Sequence, residues 1–389
     1  MKYNFDQVID RHNTASLKWD SGKQDMLPMW VADMDLAVAP EVIDELKKRL
    51  DHPILGYSIQ TDDYYNAVIN WFGSRYGFHI ERDWISHSPG IVAGLHFLVQ
   101  ALTKPTDRVL CLTPSYYQFY KSTWDNGRQI VRCPLVLENN RYVVDFELFE
   151  RLASEDDVTM FMLCNPHNPG GRCWTTDELR KMGEICKKHN VLVVADEIHC
   201  DLTLGDGVYH PYGAVSEELL EQAVICAAPS KTFNLAGMQT SCIIIPNEQI
   251  REKFRKLMTT HGIMRPNALG MVAMIAAYTK GAAWLEECKV YLTENYKAID
   301  RYLREHIPEF RLMDMEATYL AWIDVSGLGD PEVYHKYLQE VGKLWLDAGT
   351  MFGPEGKNYE RLNFACSRET LMDALDRMRL AADAMRAAK

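Results

Sequence analysis

Ala223-Val224-Ile225-Cys226-Ala227-Ala228-Pro229-Ser230-Lys231 is the stretch that decides the fold. Its first five residues are uniformly apolar, which predicts a short strand buried on both faces, as in a parallel sheet. A lone lysine then stands just past the strand's carboxyl end. In an open α/β sheet, ligands bind in the crevice outside those ends, and burial there lowers a lysine's pKa until its amine is a usable nucleophile and base. A Schiff-base lysine has these properties. Lysines are more often solvated loop residues. A phosphate-loop lysine is excluded, because no glycine precedes Lys231 at the Gly-x-x-x-x-Gly-Lys spacing.

Outward from this strand, apolar runs predict further strands at 108–112, 158–163, 191–195 and 241–245, with a helix at 176–189 between them. Strands alternating with helices imply an α/β domain, a mostly parallel sheet with helices on both faces. Helical patterns at 40–50, 62–76, 251–259, 267–278 and 283–306 supply the cover. The C-terminal part differs, with strands near 318–325 and 361–365 and helices near 331–341 and 368–388, and reads as a smaller α+β domain. The expected division is 48–282 for the large domain, with 1–47 and 283–389 forming the small domain and an N-terminal arm.

A net charge of −12 on 389 residues repels phosphates over most of the surface and argues against a nucleic-acid partner. The ten cysteines are scattered, with no Cys-x-x-Cys pair, which suits a reducing compartment. No segment reaches the ~20 apolar residues that span a bilayer, and the N-terminus lacks the apolar core of a signal peptide. A cytoplasmic protein with no membrane partner and no metal site is expected.

Unusual residues follow the other strands. Thr113-Pro114-Ser115-Tyr116-Tyr117 comes after the strand at 108–112, Asn165-Pro166-His167-Asn168-Pro169-Gly170-Gly171 after 158–163, and Asp196-Glu197-Ile198-His199-Cys200-Asp201 after 191–195. Upstream, Ser88-Pro89-Gly90-Ile91-Val92 is a glycine turn opening an apolar helix, whose unpaired N–H groups suit a phosphate. Singly, these are turn punctuation, helix caps or packing. Together they supply an aromatic face, a carboxylate, an amide, a phosphate cradle and a lysine, the set required by an aldehyde-bearing pyridine phosphate. Such a ring withdraws electrons when a buried carboxylate keeps its nitrogen protonated, and Asp196 is placed to do so.

With these motifs the chain resembles the fold-type I pyridoxal-phosphate enzymes of the aspartate-aminotransferase superfamily. The resemblance implies that Lys231 links covalently to pyridoxal phosphate, Asp196 pairs with the ring nitrogen, Asn168 contacts the phenolic oxygen and Tyr116 stacks on the ring. It also implies that Gly90, Ile91, Val92 and Ser230 surround the phosphate, and that His199 belongs to the cofactor set. Tyr57 would reach the neighbouring subunit's phosphate, so a homodimer with shared active sites is expected. Arg361 would grip the carboxylate of a small amino-acid substrate through its planar fork. Trp30, Ala32 and Tyr64 are further candidates for the substrate side, as are Tyr117 and Met264, and plain packing explains Trp30, Tyr64, Tyr117 and Met264 equally well.

Two departures point to one branch. Gln239 stands eight residues after Lys231, where aminotransferases usually carry a phosphate-binding arginine, and His199 replaces the usual tyrosine three residues after the aspartate. With Met29-Trp30-Val31-Ala32-Asp33-Met34-Asp35, they resemble the MalY/PatB group of cystathionine β-lyases, also called cysteine-S-conjugate β-lyases. The implied reaction is α,β-elimination of L-cystathionine or a related L-cysteine S-conjugate to a thiol, pyruvate and ammonia. An aminotransferase using the same lysine is the alternative reading, and a second is an additional role as a regulator that contacts a transcription activator.

Overall fold

The structure, a computed structural model, describes residues 2–22 and 25–388. Met1, Lys23, Gln24 and Lys389, which fall within the expected domain ranges, lie outside the described residues. Seven strands build the large sheet: β1 Ile85–Ser88, β2 Arg108–Thr113, β3 Gln129–Pro134, β4 Val158–Cys164, β5 Leu192–Asp196, β6 Ala223–Ala227 and β7 Ser241–Ile244. Their spatial order is β1-β7-β6-β5-β4-β2-β3. All pairs from β6 to β3 are parallel, and β7 runs antiparallel to both of its neighbours. Alternate residues enter two cores: Leu110, Phe161, Val193 and Ile225 pack on one face, and Cys111, Met162, Val194 and Cys226 on the other. Burial on both faces is the reason these strands read as continuous apolar runs.

The five strands expected from sequence for the large sheet are all present, with ends moved by at most one residue, and the two expected in the C-terminal part are present with ends moved by up to two. β1 and β3 carry no such signal. Both lie at sheet edges; β1 is polar at three of its four residues, and β3 leaves Gln129, Arg132 and Pro134 exposed. A strand with one neighbour has no need of an unbroken apolar run.

The second sheet is antiparallel, with β8 Arg311–Leu312, β9 Leu320–Asp324, β10 Asp347–Ala348 and β11 Tyr359–Asn363 in the order β8-β9-β11-β10. Helix Arg368–Ala387 packs against helices Ala282–His306 and Pro331–Glu340. Its N-cap Ser367 accepts a hydrogen bond from the Thr370 N–H at 3.2 Å. Leu371, Ala374, Leu375 and Met378 are buried at helical spacing along it.

The expected domain division at 47/48 falls inside helix Pro40–Leu50, which packs on helix Ala268–Lys280. Domain boundaries fall in linkers rather than mid-helix, so a large domain beginning ahead of Pro40 is the division we propose. Among the described residues no single helix is long and apolar enough to cross a membrane. All ten cysteines are free and buried.

Candidate active site

The carboxyl ends of the central parallel strands open on one cavity of about 270 Å³. Asp196 is the last residue of β5, in register with Cys164 of β4 and Cys226 of β6, so its carboxylate emerges from mid-sheet, 2% exposed. Lys231 follows β6 in the single-turn helix Pro229–Thr232. Asn168 lies in the turn after β4, and Tyr116 precedes helix Tyr117–Trp124 after β2. Across the cavity, Gly90 takes a φ of 94°, a conformation that favours glycine, and turns the chain into helix Ile91–Leu102. Gly90, Ile91 and Val92 line the cavity, as do Ser230, His199 and Ala32.

Charge in this enclosure is unusual. Burial lowers the pKa of Lys231 to about 8; the Asp33 carboxylate opposes the drop, the Arg361 guanidinium adds to it, and Asp196 opposes it. Burial pushes the Asp196 carboxyl up to about 7, against the Ile198 N–H, which donates to it at 3.2 Å, and the charge on Lys231. The His199 imidazole is held well below its ordinary pKa, first by burial and then by Lys231 and Arg361, so it is neutral. Its Nδ1 has no hydrogen-bond partner among the described residues.

Lys231 Nζ donates to the Ala32 carbonyl at 2.6 Å, and the Tyr319 hydroxyl donates to the same oxygen at 2.9 Å. The arm at 27–35 delivers that carbonyl. Asn234, three residues beyond Lys231, donates to the Met34 and Leu36 carbonyls, each at 2.9 Å. From β11, Asn363 donates to the Val31 and Asp33 carbonyls, each at 2.6 Å. Arg11 and the buried Lys18 each hold Asp35 at 2.6 Å. The arm is thus clasped by the lysine's own segment and by the small sheet.

Arg361, 2% exposed on β11, does not line the cavity but stands behind Asn168, donating through Nη1 to its Oδ1 at 3.3 Å. Nη2 donates to the Trp30 carbonyl at 3.0 Å and pairs with Asp347, its cross-strand neighbour on β10. The guanidinium sits 4.6 Å over the Phe352 ring, and Nε has no partner among the described residues. Trp30 lies outside the cavity lining and stacks on Trp345 with ring centroids 4.5 Å apart. Tyr57 is 98% exposed on the segment between helices Pro40–Leu50 and Asp62–Tyr76, and touches no part of its own chain's cavity. The expectation for Tyr64 is corrected. It is fully buried, its hydroxyl lies 3.3 Å from Cys242 Sγ, and no face of it is open to a substrate.

Residues 24–378 match the aminotransferase class I and II family over nearly the whole chain. The chain belongs to that family. Cystathionine beta-lyase PatB of Bacillus subtilis (strain 168) is 43% identical to this chain over 386 residues, covering 97% of this chain and 99% of that protein. Protein MalY of Escherichia coli (strain K12) is 31% identical, covering 95% and 96%. Among solved structures, cystalysin from Treponema denticola, which contains a pyridoxal 5'-phosphate cofactor, superposes with a TM-score of 0.96 at 34% identity, covering 100% of both chains. Several cavity or near-cavity residues of this family member escape the sequence reading, Ala236 among them. Cys164 was findable as the last residue of a strand. Thr240 in the lining, Tyr319 on the Ala32 carbonyl and Asp347 on Arg361 carry no signal, because tertiary approach alone brings them in.

Proposed function

We propose that this protein is a pyridoxal-phosphate-dependent carbon–sulfur β-lyase. It eliminates a thiol from L-cystathionine or a related L-cysteine S-conjugate and leaves pyruvate and ammonia. The observation that carries this reading over an aminotransferase is the full-length likeness to cystathionine beta-lyase PatB, since a cavity lysine serves both reactions.

The donor set fits the cofactor at each of its ends. A lysine amine of lowered pKa faces a buried carboxylate across the cavity, and a helix N-terminus and the unpartnered Thr240 hydroxyl line the same space. Lys231 suits the aldehyde carbon, Asp196 the ring nitrogen, Asn168 the phenolic oxygen, and Tyr116 one ring face, with Gly90, Ile91, Val92 and Ser230 around the phosphate. When bound, pyridoxal phosphate supplies the electron sink that stabilises negative charge at the substrate's Cα.

The chain's own residues do the rest. A pKa of about 8 leaves part of the Lys231 population unprotonated near neutrality, so its amine takes the Cα proton as a general base. The Cβ–S bond then breaks, and the same amine returns a proton to the departing sulfur. Asp196 holds the proton at the ring nitrogen. The neutral His199 adds no second cation beside Lys231. Released aminoacrylate reacts with water to give pyruvate and ammonia.

Arg361 binds the substrate carboxylate, with Asp347 and the Trp30 carbonyl fixing its fork. Arg361→Lys should raise KM for cystathionine about 10- to 100-fold, with kcat moving less, because the loss is of a charge-assisted hydrogen bond made with bound substrate. Steady-state kinetics check this, and an unchanged KM would take Arg361 out of the substrate site.

The protein acts as a homodimer in which Tyr57 serves the partner's phosphate. Tyr57 stands fully out from its own chain in a stretch that also exposes Ile54, Leu55 and Ile59, and such apolar surface marks an interface. Sedimentation of the loaded enzyme as a monomer would overturn this assembly. The reaction itself is tested by incubation with cystathionine and no keto acid. Sustained release of thiol and pyruvate supports the lyase, and a single turnover that stalls supports an aminotransferase.

A further inference from the structure

The cavity lining contains one cation among the described residues, Lys231, because His199 is neutral and Gln239 occupies the position eight residues after the lysine. The end of the cavity at the start of helix Ile91–Leu102 has no side-chain positive charge from this chain to meet an anion. Thr240 lies at that cavity. It is 1% exposed, lines the space, and its Oγ1 has no partner among the described residues. Buried hydroxyls are rarely left so. Its neighbour shows the usual state, the Ser241 hydroxyl donating to the Ser88 carbonyl at 3.0 Å. Gln239 holds a left-handed backbone, φ 44°, where the chain leaves the cavity for β7. That conformation is uncommon outside glycine.

We infer that Thr240 is a phosphate ligand, its hydroxyl donating to a phosphate oxygen of pyridoxal phosphate. With the N–H groups that open helix Ile91–Leu102, it forms a cradle of neutral donors in place of a cation. The inference rests on the pyridoxal phosphate reading above and adds to it the means by which the phosphate is held. Two features are then explained together: an orphaned hydroxyl in an otherwise well-bonded strand entry, and a phosphate subsite without its arginine.

The test compares dissociation of pyridoxal phosphate from wild-type, Thr240→Val and Thr240→Ser holoenzymes, read by visible absorbance. It is repeated with pyridoxal, which has the ring and aldehyde but no phosphate. Valine keeps the shape and loses the donor, so Thr240→Val should bind pyridoxal phosphate about 10- to 100-fold more weakly, the range for one hydrogen bond to a charged group. Thr240→Ser should stay near wild type, and pyridoxal should bind all three alike. Should Thr240→Val not fold, Thr240→Ala gives the same comparison. The assignment is overturned if the variant holds pyridoxal phosphate as tightly as wild type, or if pyridoxal binding falls in parallel, which would mark general damage to the pocket. A wild-type protein that takes up neither compound overturns the cofactor reading itself and Thr240 with it. Uptake by the wild type with no effect of the variant overturns Thr240 alone.

Discussion

Lys231→Ala is expected to lose thiol release from cystathionine by about 10⁴-fold or more, the upper range for removal of a positioned base, here compounded by loss of the covalent attachment. The same variant should lose the visible absorption of the lysine-linked cofactor. The fold should survive, because Nζ makes one hydrogen bond, to the Ala32 carbonyl, and the flanking Pro229 and Thr232 are anchored independently of it. Thr232 Oγ1 donates to the buried Asp201 at 2.8 Å, which holds the helical turn whatever side chain stands at 231. Near-complete retention of turnover by a folded Lys231→Ala enzyme would sink the mechanism. Absorbance and a thiol assay on one preparation decide it.

Asp196→Asn has the second largest expected effect, a fall in turnover of about 10²- to 10³-fold, the usual result of deleting one preorganised electrostatic group. Its stability should move the other way in the cofactor-free protein. Burial raises this carboxyl from its ordinary range to about 7, so folding favours the protonated form. The stability is fully present below the unfolded carboxyl's pKa, near pH 4, and is lost as pH rises through 7. Asparagine does not ionise. The cofactor-free Asp196→Asn protein should therefore exceed wild type above pH 7 by on the order of 2–4 kcal/mol, and the advantage should vanish toward pH 4. Urea unfolding of both proteins at the two pH values measures this. Equal stability at high pH would mean that a cation already neutralises the carboxylate without the cofactor.

The sheet was legible wherever strands are buried on both faces, because Val191-Leu192-Val193-Val194-Ala195 and its counterparts are dominated by apolar residues, with polar ones such as Arg108, Thr159 and Ser241 at or near the strand ends. The edge strands Ile85–Ser88 and Gln129–Pro134 were not, since one open side frees them from that constraint. The placement of Asp196, Asn168, Tyr116 and Lys231 around one cavity followed from sequence, each standing at a strand's carboxyl end, where topology alone determines convergence. Thr240 and Tyr319 depend on how separate segments approach one another, which no local spacing encodes. For Tyr64, candidate and packing readings stood side by side, and a local signal favoured packing: with Val68 and Trp71 it forms a helical apolar stripe, and such stripes face the core.

The clasp on the arm has a consequence for biosynthesis. Trp30 is bonded to Arg361 and Val31 to Asn363, partners more than three hundred positions later in the chain. Translation runs from the amino end, so the first forty residues leave the ribosome long before the strand that must pin them. Such remote pairings form late and slowly. A nascent chain stalled short of residue 361 presents its lysine with one wall missing, and only the finished polypeptide can seal the crevice around a vitamin-derived guest.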